Sequence, residues 1–214
     1  WVLRCDIRHY FPETPHEVAK AAIRKRVKDP RCAEAAETIV DSFGGDRGIG
    51  LGSQVSQLVE LAVLDETDHF IKERLRIKHY IRYMDDFILI HHDREYLQKI
   101  LKAIEKQLAM IGLELNRKTQ IYSLKHGITF LKWRYTLTDS GKVIRKMSRK
   151  KITKQRRKIK KLATKAIMGS LPESALDDSF QSWEANAKRG NSHFEIRRMR
   201  EYYLLMKEGI IMGP

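Results

Sequence analysis

The stretch Ile81-Arg82-Tyr83-Met84-Asp85-Asp86-Phe87-Ile88-Leu89-Ile90 decides the fold. Apolar and β-branched residues flank an acidic pair. The pattern predicts a short, mostly buried hairpin over about Lys78–His91, with its turn near Met84 and Asp85. Two adjacent carboxylates in an apolar run must be solvated, paired with a cation or protonated. Asp is also an ordinary turn residue, so a lone Asp-Asp carries little weight. A second short apolar run, Val2-Leu3-Arg4-Cys5-Asp6-Ile7, ends near a third carboxylate. If the two segments pair as strands, Asp6, Asp85 and Asp86 meet at one sheet edge. Such a cluster suits hard divalent cations with oxygen ligands, such as magnesium.

Tyr83-Met84-Asp85-Asp86 resembles the signature box of reverse transcriptases. Asp6-Ile7-Arg8-His9-Tyr10-Phe11 resembles their first palm box, an Asp followed five residues later by an aromatic. The resemblance is closest to the bacterial branch that includes group II intron and diversity-generating retroelement enzymes. It implies an α+β fold. A polymerase palm, an antiparallel sheet packed on helices, is expected over 1–146, and a basic three-helix thumb over 147–214. It implies an RNA-directed DNA polymerase that extends a DNA or RNA primer on an RNA template with deoxynucleoside triphosphates. Asp6, Asp85 and Asp86 are then catalytic. Asp6, Ile7, Asp85 and Asp86 would surround two Mg2+ ions, for which Mn2+ can substitute. Phe11 stands where the family places an aromatic steric gate beneath the sugar, with Ile7 also beside the nucleotide. Read alone, Phe11 is a core aromatic at a strand end.

The remaining boxes follow in order. Gly44–Gly52 is a glycine-rich loop leading into Ser53-Gln54-Val55-Ser56-Gln57 and a helix expected to reach about Leu75. It resembles the second palm box, which implies nucleotide contacts from Leu51 and Gly52. Many members have Pro where this chain has Gly50, and several have Gln in place of Leu51. Leu113-Glu114-Leu115-Asn116-Arg117-Lys118-Thr119 resembles the next box, in which Lys118 is the candidate general acid to the leaving pyrophosphate. Gly127–Tyr135 alternates and is expected to pair, through Asp139-Ser140-Gly141, with Lys142–Arg145. This resembles the primer-grip box, where members usually have Gly in place of Lys132. Tyr83, Met84, Phe130, Leu131, Lys132 and Trp133 are therefore expected along the primer–template.

Charge singles out the C-terminal third. The net charge is +15, and residues 141–214 hold 19 Lys and Arg against 7 Asp and Glu. No acid lies between Ser140 and Pro172, and twelve basic residues fall within Arg145–Lys165. A polyanion partner is expected. Lys154, Arg157, Lys158 and Lys161 recur at helical spacing as candidate phosphate contacts. Helices are expected over Lys150–Ile167, Ser174–Lys188 and Ser192–Met206. Phe180 and Trp183 are assigned to the core, and Gly190-Asn191-Ser192 resembles a feature of the bacterial branch.

Elsewhere, Thr14 and Glu17 read as a capping box with Pro15 at the first helical position. Helices follow to about Lys28, over about Arg31–Ser42 with Cys32 on the apolar stripe, and over Arg94–Ile111 with Asp93 as cap. Cys5 and Cys32 are expected as reduced core residues, which suits the cytoplasm. His91 and His92 read as a solvent-facing strand end. No apolar run approaches the roughly 20 residues of a membrane span. The chain begins at Trp1 directly on a strand, which reads as a fragment. The family's fingers region has no match, so fingers are expected from the parent protein or an accessory protein. Two other readings fit the same residues: an RNA-binding, maturase-like or scaffold module with a vestigial palm, and another palm-fold nucleotidyl enzyme such as a cyclase.

Overall fold

The computed structural model describes residues 1–50 and 52–212, with side chains described as far as residue 209. The chain is mixed helix and antiparallel sheet. It divides into two compact units, Trp1–Ser123 and Leu124–Pro214.

The first unit is built on a four-stranded antiparallel sheet. Its strands are β1 (Val2–Asp6), β2 (His79–Tyr83), β3 (Asp86–Ile90) and β4 (Gln120–Tyr122), in spatial order β2-β3-β1-β4. The two segments read as strands from their apolar runs are thus the central pair. Period-two alternation sends Leu3, Cys5 and Ile7, with Phe87 and Leu89, to the core face, and Arg4, Asp6 and Asp86 to the opposite face. The carboxylates therefore gather at the end of two central strands, not on an edge strand.

The helices covering the core face are α1 (Tyr10–Glu13), α2 (His16–Arg26), α3 (Pro30–Asp41), α4 (Gln54–Val63), α5 (Asp65–His69) and α6 (Arg94–Met110). Helix α6 has the expected amphipathic form. Leu97, Ile100, Ile104 and Leu108 are buried on one stripe, and Asp93 accepts from the backbone N–H groups of Glu95 and Tyr96.

Several expectations change. The Thr14–Glu17 capping box does not form. Pro15 is the N-cap of α2, and the buried Thr14 hydroxyl donates to the Tyr10 carbonyl and lies 3.1 Å from Glu60 Oε2. Asp29 caps α3 instead, with Pro30 at its first position. Cys32 is exposed, because the buried stripe of α3 runs through Ala33 and Val40. The helix after the glycine-rich loop does not run unbroken to Leu75. It is interrupted at Leu64 and ends in a π-helical turn, Phe70–Arg74. Strand β4 carries no alternating run that would announce it.

The second unit holds a three-stranded antiparallel sheet, β5 (Ile128–Phe130), β6 (Trp133–Leu137) and β7 (Val143–Met147), and three helices, α7 (Arg149–Ile167), α8 (Ser174–Ala187) and α9 (His193–Met212). The expected single strand over Gly127–Tyr135 is itself a hairpin, turning at Leu131 and Lys132. Both residues have positive φ, 49° and 70°, as a two-residue turn between right-twisted strands requires. That backbone suits glycine, the residue expected from the box this hairpin resembles, better than Lys132. A core of Met147, Ile159, Leu176, Phe180, Trp183 and Met199 holds the helices together, with Phe180 stacked on Tyr203 at 4.3 Å. Gly190-Asn191-Ser192 is bonded to β7. The Asn191 N–H donates to the Arg145 carbonyl, and its side chain accepts from the Arg145 N–H. Ser192 Oγ accepts from the Met147 N–H. A Cβ on Gly190 would lie 2.4 Å from the Trp133 ring and 2.7 Å from the Arg145 carbonyl oxygen, so only glycine fits there. No described helix is long and apolar enough to cross a membrane.

Candidate active site

Strand register does most of the assembly. Asp6 faces Asp86 directly across the β1–β3 pair. Asp85 sits in the β2–β3 turn, and its carbonyl accepts from the Ile7 N–H at 3.3 Å. The turn is tight and strained: Met84 adopts φ 57°, a left-handed conformation that costs a non-glycine residue roughly 1–2 kcal/mol. Arg82 holds it in place. Its guanidinium donates to the Met84 carbonyl at 3.1 Å and to both oxygens of Asp68, while Tyr80 Oη also donates to Asp68.

The carboxylates are not equivalent. Burial first, then the charges of Asp85 and Asp86, raises the Asp6 pKa above its ordinary value, with Arg4 and Lys118 opposing. Burial also raises Asp85, helped by the charge of Asp86 and opposed by a backbone hydrogen bond. Asp86 has a cation of its own: Arg4 Nε and Nη2 donate to its two oxygens at 3.2 and 2.9 Å. A divalent cation relieves the repulsion between partly buried carboxylates, so Asp6 and Asp85 fit as its seat. Asp86 lies beside them with each oxygen accepting one bond from Arg4. Among the described residues no three His, Cys, Asp or Glu side chains are already grouped as a metal-binding set, although Asp85 and Asp86 both lie close enough to Asp6 to raise its pKa.

The other candidates distribute as follows. Ile7 is a core side chain, 2% exposed, bridged to Leu115. Phe11 is half-buried, packed on the core and edge-on to Tyr10. Lys118 is exposed in the turn before β4, within electrostatic reach of Asp6. Gly52 is exposed at φ 106°, and Leu51 lies outside the described residues. Tyr83 is exposed on strand β2 and Met84 half-buried beside it. In the second unit, Phe130 is buried, Leu131 and Lys132 are exposed at the hairpin turn, and Trp133 is half-buried. Lys154, Arg157, Lys158 and Lys161 are all exposed on α7.

Sequence reasoning passes over three residues. Arg4 has a legible signal, since a position two before Asp6 on a strand shares its face. Arg82 and Glu60 have none. Glu60 lies fully buried on α4, and burial pushes its pKa up to about 8 against bonds from Thr14 and Tyr10.

Comparison with known proteins agrees with the boxes. A family model described as reverse transcriptase (RNA-dependent DNA polymerase) matches residues 6–135. No curated protein matches. Among solved structures, a telomerase from Candida albicans, in complex with a fragment of telomeric RNA, aligns at 11% identity with a TM-score of 0.49. The alignment covers 96% of this chain and 45% of that one, so this chain spans less than half the length of the telomerase chain. Such a likeness is too remote to argue from. The family match, which spans more than half of the sequence and contains both acidic boxes, is decisive: the chain belongs to the reverse transcriptase family.

Proposed function

We propose that this chain is the palm and thumb of an RNA-directed DNA polymerase of the bacterial, group II intron and diversity-generating retroelement-like branch. Residues 1–146 act as palm and 147–214 as thumb. The observation that carries this reading is the convergence of Asp6 and Asp85, two partly buried carboxylates with raised pKa values, at the end of the central strands. Mg2+ seated by Asp6 and Asp85 would supply charge neutralisation for the triphosphate and activate the primer 3′-hydroxyl. The chain's own residues do the rest. Arg4 keeps Asp86 fixed beside the seat, and Arg82 keeps the strained Met84-Asp85 turn in register. Phe11 closes the space beneath the sugar, and Lys118 offers a proton to the departing pyrophosphate. The exposed Lys154, Arg157, Lys158 and Lys161 of α7 hold template–primer phosphates without reading bases. Deoxynucleoside triphosphates, an RNA template and a DNA or RNA primer are the partners, with fingers contributed by the parent protein or an accessory protein.

The test is Asp85→Asn in the parent protein with fingers present. Primer extension with Mg2+ is expected to fall by at least a hundredfold, while template–primer affinity stays within about twofold. Extension at near wild-type rates would remove Asp85 from the catalytic set.

A further inference from the structure

Helix α7 carries basic residues on two sides. At 3.6 residues per turn, Arg149 and Arg156 project roughly 140° around the helix from the centre of Lys154, Arg157, Lys158 and Lys161. Arg149 and Arg156 border a cavity of about 210 Å3 between α7 and α9, lined also by Ile152, Phe194, Glu195 and Arg198. We infer that this cleft is a second nucleic-acid subsite, one that takes a single unpaired nucleotide with its phosphate.

Four observations point to that ligand. Among the described residues, Arg149, Arg156 and Arg198 have no ion-pair partner, so three guanidinium groups border one cavity with their charge uncompensated. Two of them are held by aromatic rings instead of acids: Arg156 lies 4.5 Å from the Tyr202 ring and Arg198 5.5 Å from that of Phe194. Rings hold the guanidinium planes while leaving N–H donors for a phosphate. Phe194 itself is 56% exposed at the cavity wall, with Arg197 at 5.7 Å and Arg198 at 5.5 Å from its ring centroid, so a base that stacks on it would do so beside two cations. Finally, Glu195 is the one acid in the lining, and its Oε2 is buried without a hydrogen-bond partner. Its nearest cation is Lys146, at 3.8 Å from Oε1. The cavity is below the roughly 300–1,000 Å3 of drug-sized pockets, the scale of one base. An unpaired base is also the element that a basic groove with an aromatic wall selects.

The inference goes beyond the polymerase reading and does not need its chemistry. The experiment uses the parent protein and two labelled probes, a single-stranded RNA hexamer and an RNA–DNA template–primer duplex, read by fluorescence anisotropy. Phe194→Ala is expected to weaken hexamer binding about tenfold, the effect of removing one base stack, and leave duplex binding within twofold. Phe194→Trp should restore the hexamer, and an abasic hexamer should bind wild type as weakly as the intact one binds Phe194→Ala. The fourfold Gln substitution of Lys154, Arg157, Lys158 and Lys161 should do the reverse, weakening the duplex more than the hexamer. Equal losses for both probes in Phe194→Ala, no loss for either, or an abasic hexamer that binds like the intact one would each overturn the subsite. Arg156→Gln, at an exposed position, gives the same reading if Phe194→Ala does not fold. Primer extension at a saturating duplex concentration remains intact in both Phe194 variants if the catalytic reading holds.

Discussion

Arg4 grips Asp86 through both carboxylate oxygens, at 3.2 and 2.9 Å, from the strand that also carries Asp6. The bridge sits at the end of the central strands and ties one of three clustered acids to a cation supplied by the fold. It divides the labour: Asp86 has a bonded cation, while Asp6 and Asp85 have none among the described residues and both feel the charge of Asp86. Arg4→Met should therefore release a third negative charge into the cluster. The expected cost is about 1–2 kcal/mol, that of a charged hydrogen-bonded pair that is only partly buried. Mg2+ should recover part of it, since the cation then relieves three acids and not two. Melting with and without Mg2+ checks this. A variant that melts like wild type in both conditions would show that the bridge does not stabilise the site.

Glu60 gives a pH signature far from the carboxylate range. Its folded-state pKa of about 8 lies above the ordinary 4.5, so the neutral acid is the form the fold stabilises. That contribution is complete below about pH 4.5 and is lost as pH rises through about 8. Glu60→Gln keeps the shape and a polar atom near Thr14 but cannot ionise. Between pH 6 and pH 9 the wild type should lose on the order of 1–3 kcal/mol more than the variant. Parallel stability profiles, by denaturant titration at each pH, would mean that Glu60 does not titrate in this window.

Phe11→Ala separates a gate from a core residue. Phe11 packs on the core and against Tyr10, so truncation should cost about 1–3 kcal/mol, less than for a fully buried aromatic. If the ring also lies beneath the sugar, ribonucleotide incorporation should rise at least tenfold relative to deoxynucleotide. Single-nucleotide extension at a temperature where the variant stays folded measures the ratio. Stability loss with an unchanged ratio would leave Phe11 a packing residue only.

What is legible in the sequence is whatever repeats or breaks a local rule. The β1 and β3 runs, the α6 stripe and the Asp93 cap follow from period and capping chemistry, and the structure keeps them. Strand β4 is not legible, because three residues of Gln-Ile-Tyr become a strand only by pairing with Val2–Arg4. The turn at Leu131-Lys132 is hidden for the opposite reason. Apolar alternation runs straight through it, and neither residue advertises the positive φ that glycine would have shown. At the site, the acids are legible and their partners are not. Arg4 and Arg82 act through tertiary hydrogen bonds to residues 82 and 14 positions away. Cys32 reads as core from its neighbours, yet a one-residue rotation of the α3 stripe moves burial to Ala33.

The last prediction concerns the face of α7 formed by Lys154, Arg157, Lys158 and Lys161. All four are exposed, and none pairs with an acid among the described residues. No acid occurs anywhere on this helix to compete for them. Replacing the four by Gln removes four charges at nearly unchanged helix propensity, so melting should shift by no more than about 1 kcal/mol equivalent. Mutual repulsion among clustered cations would make the shift, if any, stabilising. Binding is where the change should be large. Each phosphate no longer neutralised should reduce the slope of log affinity against log salt by about 0.7–0.9, so four of them together remove about 3 from it. Base preference should not move, because phosphate binding carries no sequence information. Titrating an RNA–DNA template–primer duplex at several salt concentrations distinguishes this from a merely solvated face. A solvated face gives the same melting and an unaltered slope. An intermediate slope counts how many of the four touch phosphate, and single substitutions then assign them. A slope unchanged within error, with affinity intact, would mean that this face of α7 does not grip the duplex and that its charge serves another partner.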